Sequence, residues 1–440
     1  MSYSNNIKIT EIEPIYDSTN SRSEWRFEPN KIYSTNVLIA NVGVDQATAS
    51  RYNRLSGVGG MFDNVMLYDG NVELQMTQLC GFWSGWKQSR KSNANLKDKA
   101  PMLIGNERGS RFEGQDAGSG NAGGTNAGKS VRNDVIIPGN QLSSKTGKAT
   151  MAANEFLPIL DAMPYLDTSI FKNLRLIVEY NAEAVVRENQ AETLTTLRPL
   201  LIVEEVVNPA QVAAAQGKMG DIIYDNVETD RALLPAVVPT ANGPGANAQS
   251  FSYHVNGYTN KKVGKMLIWK QSQTGLNYSA GGTAGDYQNG AFDSMGLFRE
   301  RTQIRVNGQN VFAKNGISKS NQRLARLVDS WGSGGLATFA NGLAPITLAD
   351  ANPRNVYREG GNAAVGFMDW FGCDLGYQEV QDFQVEFERS GIANLAADNT
   401  NVVAETAKSK YNAPYKLIMF ALIQKAIIMD GKGSYNVRYA

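Results

Sequence analysis

Apolar and polar positions alternate with period two along much of the chain. Leu174, Leu176, Val178 and Tyr180 alternate with Arg175, Ile177 and Glu179. Phe383, Val385 and Phe387 alternate with Gln384, Glu386 and Glu388, which is the cleaner case. That period marks strands with one buried face. Two tight hairpins are announced: Asp69-Gly70 inside VMLYDGNVEL and Asn307-Gly308 inside QIRVNGQNVF. Asp-Gly and Asn-Gly between apolar runs are the strongest two-residue loop signals, because such loops need positive φ.

Helical periodicity is scarce. FLPILDAMPYLDTSIFKNL (156–174) carries Pro158 and Pro164, so it predicts only short, broken helices. NQRLARLVDSWG (321–332) spaces Leu324, Leu327, Val328 and Trp331 at helical intervals and stops at Gly332. NPAQVAAAQGKMG (208–220) offers Asn208 as N-cap and Pro209 at the first helical position, and predicts a linker helix. Long Gly-, Asn- and Ala-rich loops run over 114–130, 241–249, 273–291 and 332–344. Excursions of that length carry function or interfaces.

The same order of signals occurs twice. A strand, the Asp69-Gly70 hairpin, a strand and the aromatic segment LCGFWSGWKQ come first. Then come a strand, the Asn307-Gly308 hairpin, a strand and NQRLARLVDSWG. Each half continues through long loops to a clean strand, LRLIVEY or FQVEFER. Each ends on a second apolar run, LRPLLIVEEVV (197–207) or YKLIMFALIQKAI (415–427). Two similar β-domains of about 200 residues each fit this order, and jelly rolls close eight strands with long loops. The fold expected is therefore all-β: two tandem eight-stranded jelly-roll sandwiches with long loops and a few short helices. The predicted divisions are an arm over 1–30, a first roll over 31–207, a linker helix over 208–222 and a second roll over 223–440. Ile7, Ile9 and Ile12, with Trp25 and Phe27, make the arm apolar, so it must find partners or stay loose.

The 440 residues suit two or three domains, and 42% hydrophobic residues can build real cores. With 43 Lys+Arg against 42 Asp+Glu, no bulk charge steers the chain to nucleic acid or an anionic membrane, and no specific nucleic-acid partner is expected. Cys80 and Cys373 are far apart, make no metal spacing and read as buried reduced thiols. The single histidine, His254, lies in the strand-like FSYHVNGY. One histidine disfavours triads and His-based metal sites, so no metal, cofactor or catalytic residue is expected. MSYSNNIKITEIEP lacks the apolar core of a secretory signal. KLIMFALIQKAIIM (416–429) is too short for a membrane helix and is broken by Gln424 and Lys425.

GGTNAGKS (123–130) matches the phosphate-loop pattern with Gly123, Gly128, Lys129 and Ser130. That loop works only between a buried strand and a helix N-terminus that aims N–H groups at the phosphates. The residues before it, GSRFEGQDAGSGNA, hold no apolar strand. The residues after it run into Val135, Ile136 and Ile137, then Pro138-Gly139, which reads as a strand and a turn. The match is read as accidental in a Gly/Asn/Ala/Ser-rich window.

Three stretches carry a family resemblance. The first is DVIIPGN with NEFLPILDAMPYLDTSIFKNLRLIVEYN, which closes on Glu179-Tyr180. The second is IRVNGQNVFAKNGISKSNQRLARLVDSWG, ending in Trp331-Gly332, and the third is YQEVQDFQVEFERSGI. In this order, and loosely over residues 35–435, the chain resembles the double jelly-roll major capsid proteins of tailless icosahedral viruses. The virophage and polinton-like group and their relatives are the nearest; the length is closer to the lipid-containing phages. The resemblance implies a structural virion protein made in the host-cell cytoplasm or a viral factory. It implies a homotrimeric, pseudo-hexagonal capsomer with neighbouring capsomers, penton and minor or cement capsid proteins as partners, and it leaves an internal membrane open. In such a shell the arm would lie at the base of the capsomer, on the interior side.

Two other functions make different demands on the sequence. A tandem-sandwich host-attachment or carbohydrate-binding protein would cluster exposed tryptophans. Trp25, Trp83, Trp86, Trp269, Trp331 and Trp370 are spread out, and Trp83 and Trp86 sit among core-like neighbours. A glycosidase would need a carboxylate pair, for which Glu204-Glu205 and Glu386/Glu388 are the candidates. Both read more simply as solvated strand faces.

Overall fold

In the computed structural model, most sheet neighbours lie far apart in the chain, and short hairpins such as β7-β8 and β18-β19 supply the local pairs. The structure describes residues 6–18, 21–42, 50–52, 58–91, 149–181, 185–187, 190–191, 199–237, 248–272, 301–318, 320–331, 371–390, 414–431 and 433–440.

The first half carries β1 (Ile7–Ile12), β2 (Tyr16–Ser18), β3 (Arg22–Arg26), β4 (Ile32–Tyr33), β5 (Leu38–Val42), β6 (Ser50–Tyr52), β7 (Phe62–Asp69) and β8 (Val72–Gln78). Helix α1 (Cys80–Lys91) follows, then β9 (Ala149–Ala152), α2 (Ile159–Ala162), β10 (Leu166–Asp167) and β11 (Leu174–Tyr180). The half closes with β12 (Val185–Arg187), β13 (Gln190–Ala191) and β14 (Leu200–Val206). After α3 (Pro209–Ala215) come β15 (Ile222–Leu234), β16 (Ala248–His254), β17 (Lys261–Ser272), β18 (Arg301–Val306) and β19 (Gln309–Asn310). Helix α4 (Ser320–Trp331) precedes β20 (Phe371–Val380), β21 (Phe383–Ser390), β22 (Tyr415–Met429) and β23 (Tyr435–Tyr439).

The two halves have one topology. The second half has a sheet in the order β15-β22-β17-β20 facing a sheet in the order β16-β21-β18-β19. The first half has β1, β14, β5 and β9 in the first arrangement and β3-β11-β7-β8 in the second. In each half the first, eighth, third and sixth strands form one sheet, and the second, seventh, fourth and fifth form the other. That is an eight-stranded jelly roll, twice. Strands β2, β4, β10 and β23 extend these sheets, and β6, β12 and β13 form a small separate one. Each roll centres on one core, and Ile222 and Tyr224 of β15 and Ile427 of β22 reach from the second roll into the first. Trp25, Phe62, Phe156, Leu176 and Leu201 belong to the first, and Ile268, Val385, Phe387 and Met419 to the second.

The arm expected over 1–30 is instead part of the first roll. Ile7–Ile12 pair antiparallel with Val206–Leu201, and Arg22–Arg26 pair with Glu179–Arg175. Strand β1 holds the place in the first roll that β15 holds in the second. Its partner lies at the other end of the domain, beyond the reach of any local pattern.

The linker helix is shorter than the expected 208–222. The Asn208 side chain accepts from the backbone N–H of Ala210 at 3.0 Å, Pro209 opens the helix, and β15 begins at Ile222. Asn307 and Gly308 both have positive φ, 52° and 77°, as a type I′ hairpin requires. The earlier hairpin is displaced by one residue. Asp69 pairs with Val72, so the loop is Gly70-Asn71, with φ 59° at Gly70. Asp69 stays in the strand because its carboxylate accepts the Asn173 N–H at 2.7 Å.

Helix α1 was not legible as a helix, with Gly81 and Gly85 inside it. It occupies the same place in the first roll, between the fifth and sixth strands, as α4 does in the second.

Candidate functional site

The apolar runs of β17 and β22 do not alternate, because both their faces are buried. Inward, Met266, Ile268, Leu417, Met419 and Ala421 enter the second roll's core. Outward, Leu267, Trp269, Ile418 and Phe420 enter a third apolar cluster that joins the two rolls. Helix α1 brings Phe82, Trp83 and Trp86 to it from the first roll, at helical spacing on one face. Helix α4 brings Leu327 and Trp331.

The seam is aromatic and ordered. Phe82 meets Trp269 edge-on, with ring centroids 5.4 Å apart at 84°. Trp86 meets Trp331 at 5.6 Å and 81°, and Trp83 lies 5.7 Å from Phe420. Edge-to-face pairs place a ring's positive edge on its neighbour's negative face, contributing about 0.5–1.5 kcal/mol each beyond area burial. The Trp331 Nε1–H donates to the Met266 carbonyl at 3.1 Å.

Polar groups fix the rim. Gln75 Nε2 donates to the Asp225 carbonyl at 2.9 Å, and the Tyr224 hydroxyl donates to the Leu74 carbonyl. These bonds hold β8, the edge of one roll, against β15, the edge of the other. The C-terminal strand adds a clasp. The Tyr435 hydroxyl donates to Asp69 Oδ2 at 2.7 Å, and its ring lies 5.1 Å from Phe171. Burial lowers the pKa of Lys425 in spite of Glu73, whose Oε1 is 3.8 Å away. Lys261 pairs with Glu228 at 2.6 Å and lies over the Tyr439 ring.

The residues singled out from sequence are dispersed. Gly123, Gly128, Lys129 and Ser130 lie outside the described residues, as does Trp370. Trp25, Trp83, Trp86, Trp269 and Trp331 are all buried, which leaves none of them for sugar stacking. Glu204 and Glu205 point to opposite faces of β14. Glu205 is buried and pairs with Lys31 at 2.5 Å, a hydrogen bond that raises the Lys31 pKa. Glu386 and Glu388 share the outer face of β21, where Arg305 (3.2 Å) and Arg301 take them up in cross-strand ion pairs. They line a surface groove of about 310 Å³ with Ser250, Gln303 and Lys314. His254 is exposed, with Nδ1 3.1 Å from Asp382 Oδ1. Cys80 and Cys373 are free, buried thiols in different cores. Among the described residues, no group of three or more His, Cys, Asp or Glu could hold a metal ion, and no helix is long and apolar enough to cross a membrane.

Sequence reasoning missed Trp269 and Phe420 as interface residues. The signal was the broken alternation in MLIW and LIMFAL.

No family model and no curated protein matches the sequence. Solved structures do. The VP54 protein of PBCV-1, as fitted into a cryo-EM reconstruction of the virophage Sputnik, aligns with a TM-score of 0.54. Identity is 10%, covering 100% of this chain and 98% of that one. The chain has the double jelly-roll fold. The mavirus major capsid protein is a further match at TM-score 0.48 and 9% identity, over 98% of this chain and 90% of that one. In this double jelly roll the functional candidate is the seam that fixes roll against roll, with the outer sheet faces on either side of it.

Proposed function

We propose that this double jelly-roll chain is a viral major capsid protein. Three copies form a pseudo-hexagonal capsomer, and capsomers tile an icosahedral shell. Its work is structural, its place is the virion, and its partners are neighbouring capsomers, the penton and minor or cement proteins. The observation that carries this reading is the repetition. Two rolls of identical strand order stand side by side across an aromatic seam, on a path that follows VP54 over nearly the whole of both chains. A near-neutral charge balance, 43 cations against 42 anions, lets many copies pack without mutual repulsion.

Light scattering and negative-stain imaging of the purified chain test it. Trimeric tiles roughly 75–100 Å across are expected, from sheet spacing and strand length. A monodisperse monomer at high concentration would refute it.

A further inference from the structure

Strand β23 is fastened to both rolls. Its backbone pairs with β22 over Lys425–Met429, just beyond the stretch along which β17 pairs with β22. Its side chains hold the first roll. Tyr435 and Val437 pack against that roll's core, and the Tyr435 hydroxyl donates to Asp69 Oδ2 at 2.7 Å while its ring meets Phe171 edge-on. At its far end Lys261 and Lys425 lie 4.3 and 5.2 Å from the Tyr439 ring. Yet none of the five residues of β23 is buried, and among the described residues β22 is its one strand neighbour. The turn that leads into it is closed by the Asp430 N–H donating to the Ser434 carbonyl at 3.0 Å, with φ 71° at Gly431 and 85° at Gly433. An element with few buried apolar contacts opens at low free energy without the core, and hinges lie at a few turn residues that absorb the backbone change.

We infer that β23 is a strap that opens as a unit about Gly431 and Gly433, and that its closing fixes the first roll's Asp69-Gly70 hairpin against the second roll. Strand β22 keeps its place when the strap leaves, because β15 holds it from Tyr415 to Ile427. The hairpin loses its anchor. The other oxygen of Asp69 accepts the Asn173 N–H at 2.7 Å, the Gly70 N–H donates to the Asn173 carbonyl at 3.1 Å, and Arg175 donates to the Gly70 carbonyl at 2.6 Å. Tyr435 therefore grips the carboxylate on which this end of β7, β8 and β11 is organised. Strand β8 in turn carries Gln75 and the Leu74 carbonyl onto β15. With the strap closed, the two rolls are one rigid body at this end. With it open, the junction here rests on the β8–β15 bonds. The device belongs to the single chain, whatever that chain assembles into.

Hydrogen exchange of the full chain, read by mass spectrometry, tests it in three comparisons. In the parent, the amides of 435–439 should exchange together and faster than those of β22. Tyr435→Phe keeps the ring and removes only the hydroxyl. It should speed exchange at Gly70 and Asn173 about tenfold, the size expected for losing a hydrogen bond to a charged group, and leave β16, β18 and β21 unchanged. The pair Ile428→Cys with Asn436→Cys joins cross-strand partners and leaves Tyr435, Val437 and Tyr439 in place. Oxidised, it should slow exchange in the strap and at Gly70 and Asn173, and a reductant should restore it. The native thiols are buried and contribute no background. A strap that exchanges no faster than β22, a hairpin indifferent to the Tyr435 hydroxyl, or a locked chain that exchanges like the reduced one would each overturn the inference.

Discussion

Trp83 of α1 and Trp331 of α4 meet ring to ring, 6.1 Å between centroids at 66°. The two helices hold the same position in two repeats of one topology, so the duplicated elements pack on each other across the seam. Trp331 also donates its indole N–H to Met266, which ties α4 to the second roll's sheet. Trp331→Ala removes a buried ring and a hydrogen bond together. A loss of about 3–5 kcal/mol is expected from the cavity. Because the seam is one of the contacts that couple the two rolls, the calorimetric transition should move to lower temperature and broaden. A single transition at the parent's temperature would refute the coupling.

Gly308 sits at φ 77° with no atom within 4 Å of where a Cβ would be, so only backbone conformation opposes a side chain there. Gly308→Val should cost about 1–3 kcal/mol, read from the denaturation midpoint. Gly308→Asn should cost much less, because Asn tolerates the left-handed region. Equal losses in the two variants would mean that contacts, not φ, set the effect.

Burial pushes the Cys373 thiol up to about 12 and the Cys80 thiol well above its ordinary value. At pH 8 the Cys373 thiolate fraction is on the order of 10⁻⁴. A thiol reagent such as DTNB should leave both residues unmodified in the folded chain and titrate both in denaturant. Rapid labelling of the native protein would contradict their placement in the two cores.

Lys425 is held charged against desolvation, and its folded pKa is lowered from 10.5. A lysine with a lowered folded pKa costs stability wherever it is charged in both states. The cost is full below the folded pKa and disappears as pH rises past the unfolded value. Lys425→Met should therefore melt higher than the parent at pH 7, and the two should converge by about pH 10.5. Glu73, whose side chain is 35% exposed, keeps its hydration in the variant. A variant that melts lower at pH 7 would show that the Glu73 attraction outweighs burial.

Deleting residues 1–24 removes β1, β2 and most of β3. These strands serve both sheets of the first roll, so the truncated chain should lose β-structure by circular dichroism and fail to give a soluble first roll. A soluble product with the parent's melting temperature would mean that β14 and β11 do not need these partners.

Local chemistry determined much of this molecule. Period-two runs placed β11 and β21, the Asn307-Gly308 loop fixed its own hairpin, and Asn208-Pro209 started α3, because each depends on neighbours within a few residues. The order of those signals was enough to show two similar β-domains. Tertiary structure decided what depends on distant partners. Strand β1 is recognisable only when Ile7 finds Val206, and Asp69 stays in its strand because Asn173 and Tyr435 hold its carboxylate. Helix α1, with Gly81 and Gly85 inside it, has weak intrinsic preference and is helical where Phe82, Trp83 and Trp86 can bury against the other roll. The runs in β17 and β22 show that both faces are apolar. Whether the second face meets helices, a membrane or a neighbour is a property of the packed chain, since hydrophobic burial has no direction of its own.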